Sequence, residues 1–370
     1  MARFHLKPQQ LLLILEILGV LSSTSPKPVS GRFYNGLRNI FWCLICGNFI
    51  FQLIGEALYI YRNRNDIIMV LKTILIAACV TDGLLNLILC HIQREQFQHL
   101  LEEIKNYLQT ANKNDINILQ KHMNRFTLIS VTNILLLSCA GLIICFRPLV
   151  TNDRFPVDVW YPSIIDIPLT IRSFLIYVSQ IFSGIECVLA FNTDITIATF
   201  ICYFTARLEV LQHNLESTKT KDFIRACIKE HQDIIKLVEV AQATIQYLVL
   251  KFNFTMGITV VCSFFPLILN QPLAVKGQFA FTLLSACQRF YISAWSANDL
   301  SEMSKQIAYN FSSEDYMTPG TINDILIIII RSQKPLTISM ASFLPVLSLE
   351  YFANFMTKAF SYFTALKSML

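Results

Sequence analysis

The sequence predicts an all-α membrane protein. It has seven transmembrane helices, a cytosolic N-terminus, an extracellular C-terminus and a cytosolic helical anchor domain. Three observations predict this. The 370 residues are 54% hydrophobic and only 15% charged, with mean hydropathy +0.50, whereas soluble domains run near about 45–50% apolar and about 25% charged. Seven stretches reach the roughly 20 mostly apolar residues that a bilayer crossing needs. Lys and Arg crowd alternate connections, which sets an orientation.

The chain begins MARFHLKPQQLLLILEILGV, with Arg3 and Lys7 ahead of an apolar run from Leu11. This imitates a signal peptide, but Glu16 interrupts the run and no small-x-small cleavage site follows. A re-entrant or interfacial helix is expected instead. The first span covers 40–61, the second 67–90 and the third 126–146. Cys43-x-x-Cys46 has a redox or metal spacing but lies inside the first span, so it reads as helix packing.

The outer loop after span three, Arg147 to Arg172, carries Pro148, Pro156, Pro162 and Pro168. Proline presets extended and turned backbone. Trp160 and Tyr161 suit either an interfacial position or a lid over a pocket. The fourth span covers 173–197, the fifth 247–269, the sixth 277–295 and the seventh 347–366. The sequon at Asn253 falls in a span and that at Asn310 on the cytosolic side, so neither is expected to carry sugar.

Segments 198–246 and 296–332 are not ordinary loops. Phe204, Leu208, Leu211 and Leu215 recur at helical spacing, as do Ile224, Ile228, Ile235 and Val238, and then Leu300, Met303, Ile307 and Phe311. These patterns predict cytosolic anchor helices that continue spans four, five and six. Ile322 to Arg331 is too short to span and is expected to lie buried between them. The chain 1–370 reads as one unit. With the N-terminus inside, the outer connections hold Arg62, Arg64, Arg147, Arg154, Arg172 and Lys276, and the inner ones most of the remaining cations.

On the last span, Asn354, Lys358, Ser361, Ala365 and Ser368 share one helical face with Thr357 and Thr364. Phe352, Phe355, Met356, Phe363 and Leu366 lie opposite. Lys358 against lipid at mid-span would cost about 2.5–3.5 kcal/mol. Two readings stay open. Several copies around an axis could line an aqueous pore with this stripe. Alternatively, the hydroxyls bond across to neighbouring helices and Lys358 snorkels.

Ser332-Gln333-Lys334-Pro335-Leu336-Thr337, Phe343-Leu344-Pro345, Leu347-Ser348-Leu349-Glu350 and Ser361-Tyr362-Phe363-Thr364-Ala365-Leu366 resemble the closing signature of insect odorant receptors. Phe155-Pro156 and Trp160-Tyr161-Pro162 are similar to that family's second outer loop. Ile228 to Leu237 resembles its segment before span five, and Glu302, Ser304, Tyr309 and Tyr316 its pattern after span six. The resemblance covers essentially the whole chain.

It implies a tuning subunit of a heterotetrameric, ligand-gated, non-selective cation channel. The partners implied are odorant receptor co-receptor subunits, a volatile organic odorant and permeating monovalent cations, with calcium a further candidate. The implied location is the plasma membrane of olfactory sensory neurons. Segment 202–246 lacks the long insertion of the co-receptor. Ala365 matches the family's gate position, where the co-receptor carries a larger residue, and Ser342 stands where many relatives carry lysine. The implied odorant pocket lies in the outer halves of spans two, three, four and six. By position this selects Thr73, Ile76, Val80, Leu137, Gly141, Phe174, Tyr177, Ile181, Phe279 and Thr282. Tyr177 and Thr282 are the expected hydrogen-bond donors, favouring an ester, ketone, aldehyde or alcohol.

The alternatives are a G-protein-coupled-like or gustatory chemoreceptor without a pore of its own. Phe146-Arg147-Pro148 follows span three in place of an acidic-Arg-Tyr motif, and Ser361-Tyr362-Phe363 stands where a gustatory signature would. No triad or metal spacing is present, so no enzyme, cofactor, metal or nucleic-acid partner is expected.

Overall fold

The computed structural model describes residues 7–21, 32–150, 155–162, 168–190, 192–217, 220–268, 273–309, 322–340 and 345–369. Among these the regular structure is helical, apart from one isolated bridge between Ser339 and Val346, and 155–162, 333–338 and 345–348 are irregular. The helices are α1 (Pro8–Leu21), α2 (Arg32–Arg62), α3 (Ile67–Ile92), α4 (Arg94–Thr110), α5 (Lys113–Val150), α6 (Leu169–Ala190), α7 (Asn192–Ser217), α8 (Lys221–Ile268), α9 (Leu273–Tyr309), α10 (Ile322–Ser332) and α11 (Leu349–Met369).

Length dictates that several of these helices outrun a bilayer. At 1.5 Å per residue, the 48 residues of α8 reach about 70 Å, against a hydrocarbon core of about 30 Å. By length and composition, Gly36–Arg62, Ile67–Ile92, Thr170–Glu216 and Lys221–Phe264 are apolar enough to cross. The expected spans at 126–146, 277–295 and 347–366 fall on α5, α9 and α11. The expected span 173–197 falls on α6 and the start of α7. Asn192 donates from Nδ2 to the Leu15 carbonyl at 3.2 Å, docking α1 against α7.

The main core lies where α7, α8, α9 and α10 converge, and the amphipathic stripes build it. Phe204, Leu208, Leu211 and Leu215 are buried, as are Ile224, Ile235, Val238, Leu300 and Ile307. Ile228 and Met303 pack partly buried against this core, while Phe311 lies outside the described residues. α10 departs from expectation. Only Ile325 and Ile328 are fully buried, whereas Leu326, Ile327 and Ile330 are exposed. A single helix turned onto α8 and α9 can bury only one face, so the uniformly apolar run leaves the other uncovered.

α4 was not expected. Its stripe of Phe97, Leu100, Leu101, Ile104 and Leu108 is buried at helical spacing. The segment before α11 is fastened to α8 and α9. Gln242 on α8 donates from Nε2 to the Ser339 carbonyl at 2.8 Å and accepts the Ser339 amide at 2.9 Å. The Leu336 amide donates to Ser304 Oγ on α9 at 3.1 Å. The start of α11 is thereby fixed to the main core. Asn253 is buried within α8, and Asn310 is outside the described residues.

Candidate functional site

A cavity of about 160 Å³ lies among α2, α3, α5, α6, α8 and α9. Ile76, Cys79 and Val80 of α3 form one wall, and Gly141 and Cys145 of α5 another. Gly141 lets α5 approach α6: a methyl there would meet Val188 Cγ2 at 3.2 Å. Met256 and Thr259 of α8 and Phe281, Thr282 and Ser285 of α9 close the far side. The volume is comparable with that of an engineered apolar cavity of about 150 Å³ that takes up benzene.

The outer loop roofs this space. Val157 lines the cavity and pairs twice with the Gln180 side chain: its amide donates to Oε1 and its carbonyl accepts from Nε2, both at 3.1 Å. The loop continues onto α2. The Trp160 amide donates to the Gly55 carbonyl at 3.1 Å, and the Tyr161 hydroxyl donates to the Phe51 carbonyl at 3.1 Å. The Tyr161 ring stacks on Phe51 with centroids 4.4 Å apart. Trp160 and Tyr161 thus pack on α2, while Pro156 and Val157 of the same segment line the cavity.

The floor is charged. Arg289 of α9 lines the cavity and donates from Nη2 to Asp82 Oδ2 of α3 at 3.1 Å. It also donates from Nε to Asp194 Oδ2 of α7 at 2.8 Å. Lys251 of α8 donates to Asp82 Oδ1 at 2.6 Å, and the Thr255 hydroxyl to the same oxygen at 3.0 Å. Four helices thus meet in one buried network whose opposite charges are paired, the condition for keeping ions out of water. The Arg289 guanidinium lies 5.0 Å over the Phe252 ring, which meets Phe290 edge-on at 6.0 Å. Phe290 in turn packs edge-on against Phe352 at 5.3 Å and Phe355 at 5.0 Å, both on α11. The cavity floor and the last helix therefore touch through one unbroken set of rings.

Of the positions selected from sequence, Ile76, Val80, Gly141 and Thr282 line the cavity. Thr73 is buried and donates to the Met69 carbonyl. Phe279 is buried beside Leu75 and Cys262. Tyr177 donates its hydroxyl to the Cys145 carbonyl, so that proton is already engaged. Ile181 is half-buried off the cavity wall, and Phe174 is 65% exposed. The Leu137 side chain lies outside the described residues. Gln52, Met256, Thr259, Gln180 and Arg289 line the cavity but were not selected. Gln52, Gln180 and Arg289 carried a legible signal, because polar groups within apolar spans face protein or water.

On α11, Asn354, Lys358, Ser361 and Ala365 are exposed, and the Ser368 side chain is outside the described residues. Ala359 is buried on the opposite face, and Phe363 packs on Phe264 at 4.9 Å. Ser361 donates to the Thr357 carbonyl, and Thr357 to the Ala353 carbonyl, both at 2.9 Å. These hydroxyls close onto their own helix, not onto a neighbour.

Residues 66–360 match the sequence profile of the family described as 7tm Odorant receptor. Odorant receptor Or2 of Anopheles gambiae is 24% identical over 301 residues, covering 75% of this chain and 78% of that one. Odorant receptor 10 of Aedes albopictus is 23% identical over 296 residues, covering 74% and 77%. The solved insect olfactory receptor OR5 of Machilis hrabei in complex with eugenol superposes with a TM-score of 0.83, at 16% identity and over 98% of each chain. The same receptor solved without eugenol named superposes at 0.82.

Proposed function

Because the chain belongs to the insect odorant receptor family, a family of receptor-channels and not of enzymes, we propose that it is the odorant-binding, tuning subunit of a heterotetrameric cation channel. It assembles with co-receptor subunits in the plasma membrane of olfactory sensory neurons, N-terminus inside. A small volatile occupies the cavity beneath the outer loop, and the pore forms around α11, passing monovalent cations and calcium. Asn354, Lys358, Ser361, Ala365 and Ser368 face the water path.

The observation that carries this reading is the continuity from cavity to last helix. Arg289 lines the cavity, and Phe252 and Phe290 connect it to Phe352 and Phe355. A ligand moves a gating equilibrium only by binding one arrangement better than the other. Filling the cavity bears on α9 at Arg289, and α9 bears on α11 at Phe290. Apolar walls select by shape and dispersion, as small-molecule sites generally do. The exposed polar stripe on α11 supports a water-facing role, since lipid would penalise Lys358.

The test is co-expression with the co-receptor in oocytes and recording of currents evoked by a volatile panel. Currents from the pair that the co-receptor alone does not give are expected. Enlarging Gly141 to Leu should shift odorant sensitivity and leave activation by a co-receptor agonist intact. Loss of both responses at normal surface expression would refute the cavity as the odorant site.

A further inference from the structure

Two polar atoms in the cavity wall have no hydrogen-bond partner among the described residues: Gln52 Oε1 on α2 and Ser285 Oγ on α9. Both residues are buried, at 3% and 4% exposure. A buried acceptor without a partner is costly, and most such groups in folded proteins are satisfied. The Gln52 amide is oriented by its other end. Its Nε2 donates to Glu56 Oε1 at 3.0 Å, which leaves the carbonyl oxygen as the unmatched atom. Ser285 is unusual in the same way. Thr259 on α8 and Ser293 on α9 return their hydroxyls to the carbonyl four residues back, whereas Ser285 does not.

The other polar groups at the cavity are engaged. Gln180 is paired with Val157, and Arg289 with Asp82 and Asp194. The expected donor Tyr177 gives its proton to Cys145. From this arrangement we infer that the cavity selects volatiles bearing a hydroxyl group, alcohols or phenols, over ethers, aldehydes and hydrocarbons of the same size. A hydroxyl both donates and accepts, the pair of functions that Gln52 Oε1 and Ser285 Oγ leave open, and its carbon skeleton would meet the apolar wall at Ile76, Val80 and Met256. An ether or aldehyde oxygen can accept from Ser285 but leaves Gln52 unmatched. Sites that hydrogen-bond a ligand hydroxyl discriminate sharply against analogues lacking it, because the buried partner is stranded.

The inference rests on the cavity being the odorant site. Its test uses hexanol, hexyl methyl ether, hexanal and hexane, with benzyl alcohol and benzyl methyl ether as a second pair. Each is applied to the chain co-expressed with the co-receptor, and currents are scaled to those from a co-receptor agonist. Each alcohol is expected to act at about tenfold lower concentration than its ether, the size of one buried hydrogen bond. Gln52→Met should erase that preference by weakening the alcohols and leaving the ethers. Ser285→Ala, a smaller change that tests the same idea if Gln52→Met fails to reach the surface, should narrow it. Equal potency of alcohol and ether in the wild type would overturn the selectivity while leaving odorant gating intact. So would a preference unmoved by both substitutions. Silence toward the whole series, with the agonist still effective, would overturn the odorant site and this inference together.

Discussion

Arg289 donates to Asp82 at 3.1 Å in the floor of the cavity, and each residue holds a further partner of opposite charge. Removing one member of such a network leaves an uncompensated buried charge, which costs about 3–5 kcal/mol. Asp82→Asn strands Lys251, whereas Arg289 retains Asp194. Surface biotinylation of Asp82→Asn should therefore show a steep loss of mature receptor. Adding Lys251→Met removes the stranded cation and should restore much of it. No recovery in the double variant would mean that Asp82 matters for some reason other than charge balance.

The packing of Tyr161 on α2 depends on Gly55. A methyl at that position would overlap the Tyr161 ring, which stacks on Phe51 and bonds its carbonyl. Overpacking of this kind typically costs about 1–3 kcal/mol. Gly55→Ala should lift the loop from α2 and raise the half-maximal odorant concentration by about tenfold, with faster current decay on wash-out. Gly47→Ala, on the same helix with nothing within 4 Å, should leave both unchanged. Dose-response curves and wash-out kinetics check this.

What was legible in the sequence follows from periodicity. Leu208, Leu211 and Leu215 repeat on one face, and the fold buries that face. The same spacing at Phe97, Leu100, Leu101, Ile104 and Leu108 is equally regular, but it lies on a short, polar helix that no long apolar run announces. The cavity was less legible. Span position alone fixes depth in the membrane, not the rotation of a helix, so Ile76 and Val80 reach the wall while Thr73 on the same helix does not. Gln52 and Met256 sit on helices that were not considered. Which acceptors stay unmatched, as Gln52 Oε1 does, depends on neighbours distant in sequence.

His231 on α8 makes the fold sensitive to acid. The side chain is buried in α8; desolvation, reinforced by the nearby Arg331 charge, lowers its pKa from the ordinary value of 6.5 to about 4. The folded-state pKa is depressed, so the stabilising contribution is complete above about 6.5 and is lost as pH falls toward about 4. The full effect is on the order of 3 kcal/mol. Glu209, held below the usual carboxylate range by Lys121 and His122 against the opposing effect of burial, contributes only at lower pH. Thermal unfolding of detergent-purified receptor should therefore lose stability between neutral pH and about pH 5, and His231→Gln should flatten that slope. An unchanged slope would remove His231 as the cause.

The two faces of α11 give the most direct test of the pore. Asn354 and Ser361 are exposed, whereas Ala359 is buried and Phe355 packs on Phe290. If the exposed face meets water, cysteines at Asn354 and Ser361 should react with a charged thiol reagent, and faster when odorant holds the channel open. Modification at Ser361, one turn before Ala365, should block most of the current by placing a bulky charge in the path. Cysteines at Phe355 and Ala359 should resist the same reagent, because a charged molecule cannot follow them into an apolar contact. Equal reactivity on both faces would mean that α11 rotates or unwinds on opening. Protection of the Asn354 and Ser361 positions in the open state would place lipid or protein against the stripe and move the pore elsewhere. Recording the rate of current loss at each position, with and without odorant, separates these outcomes.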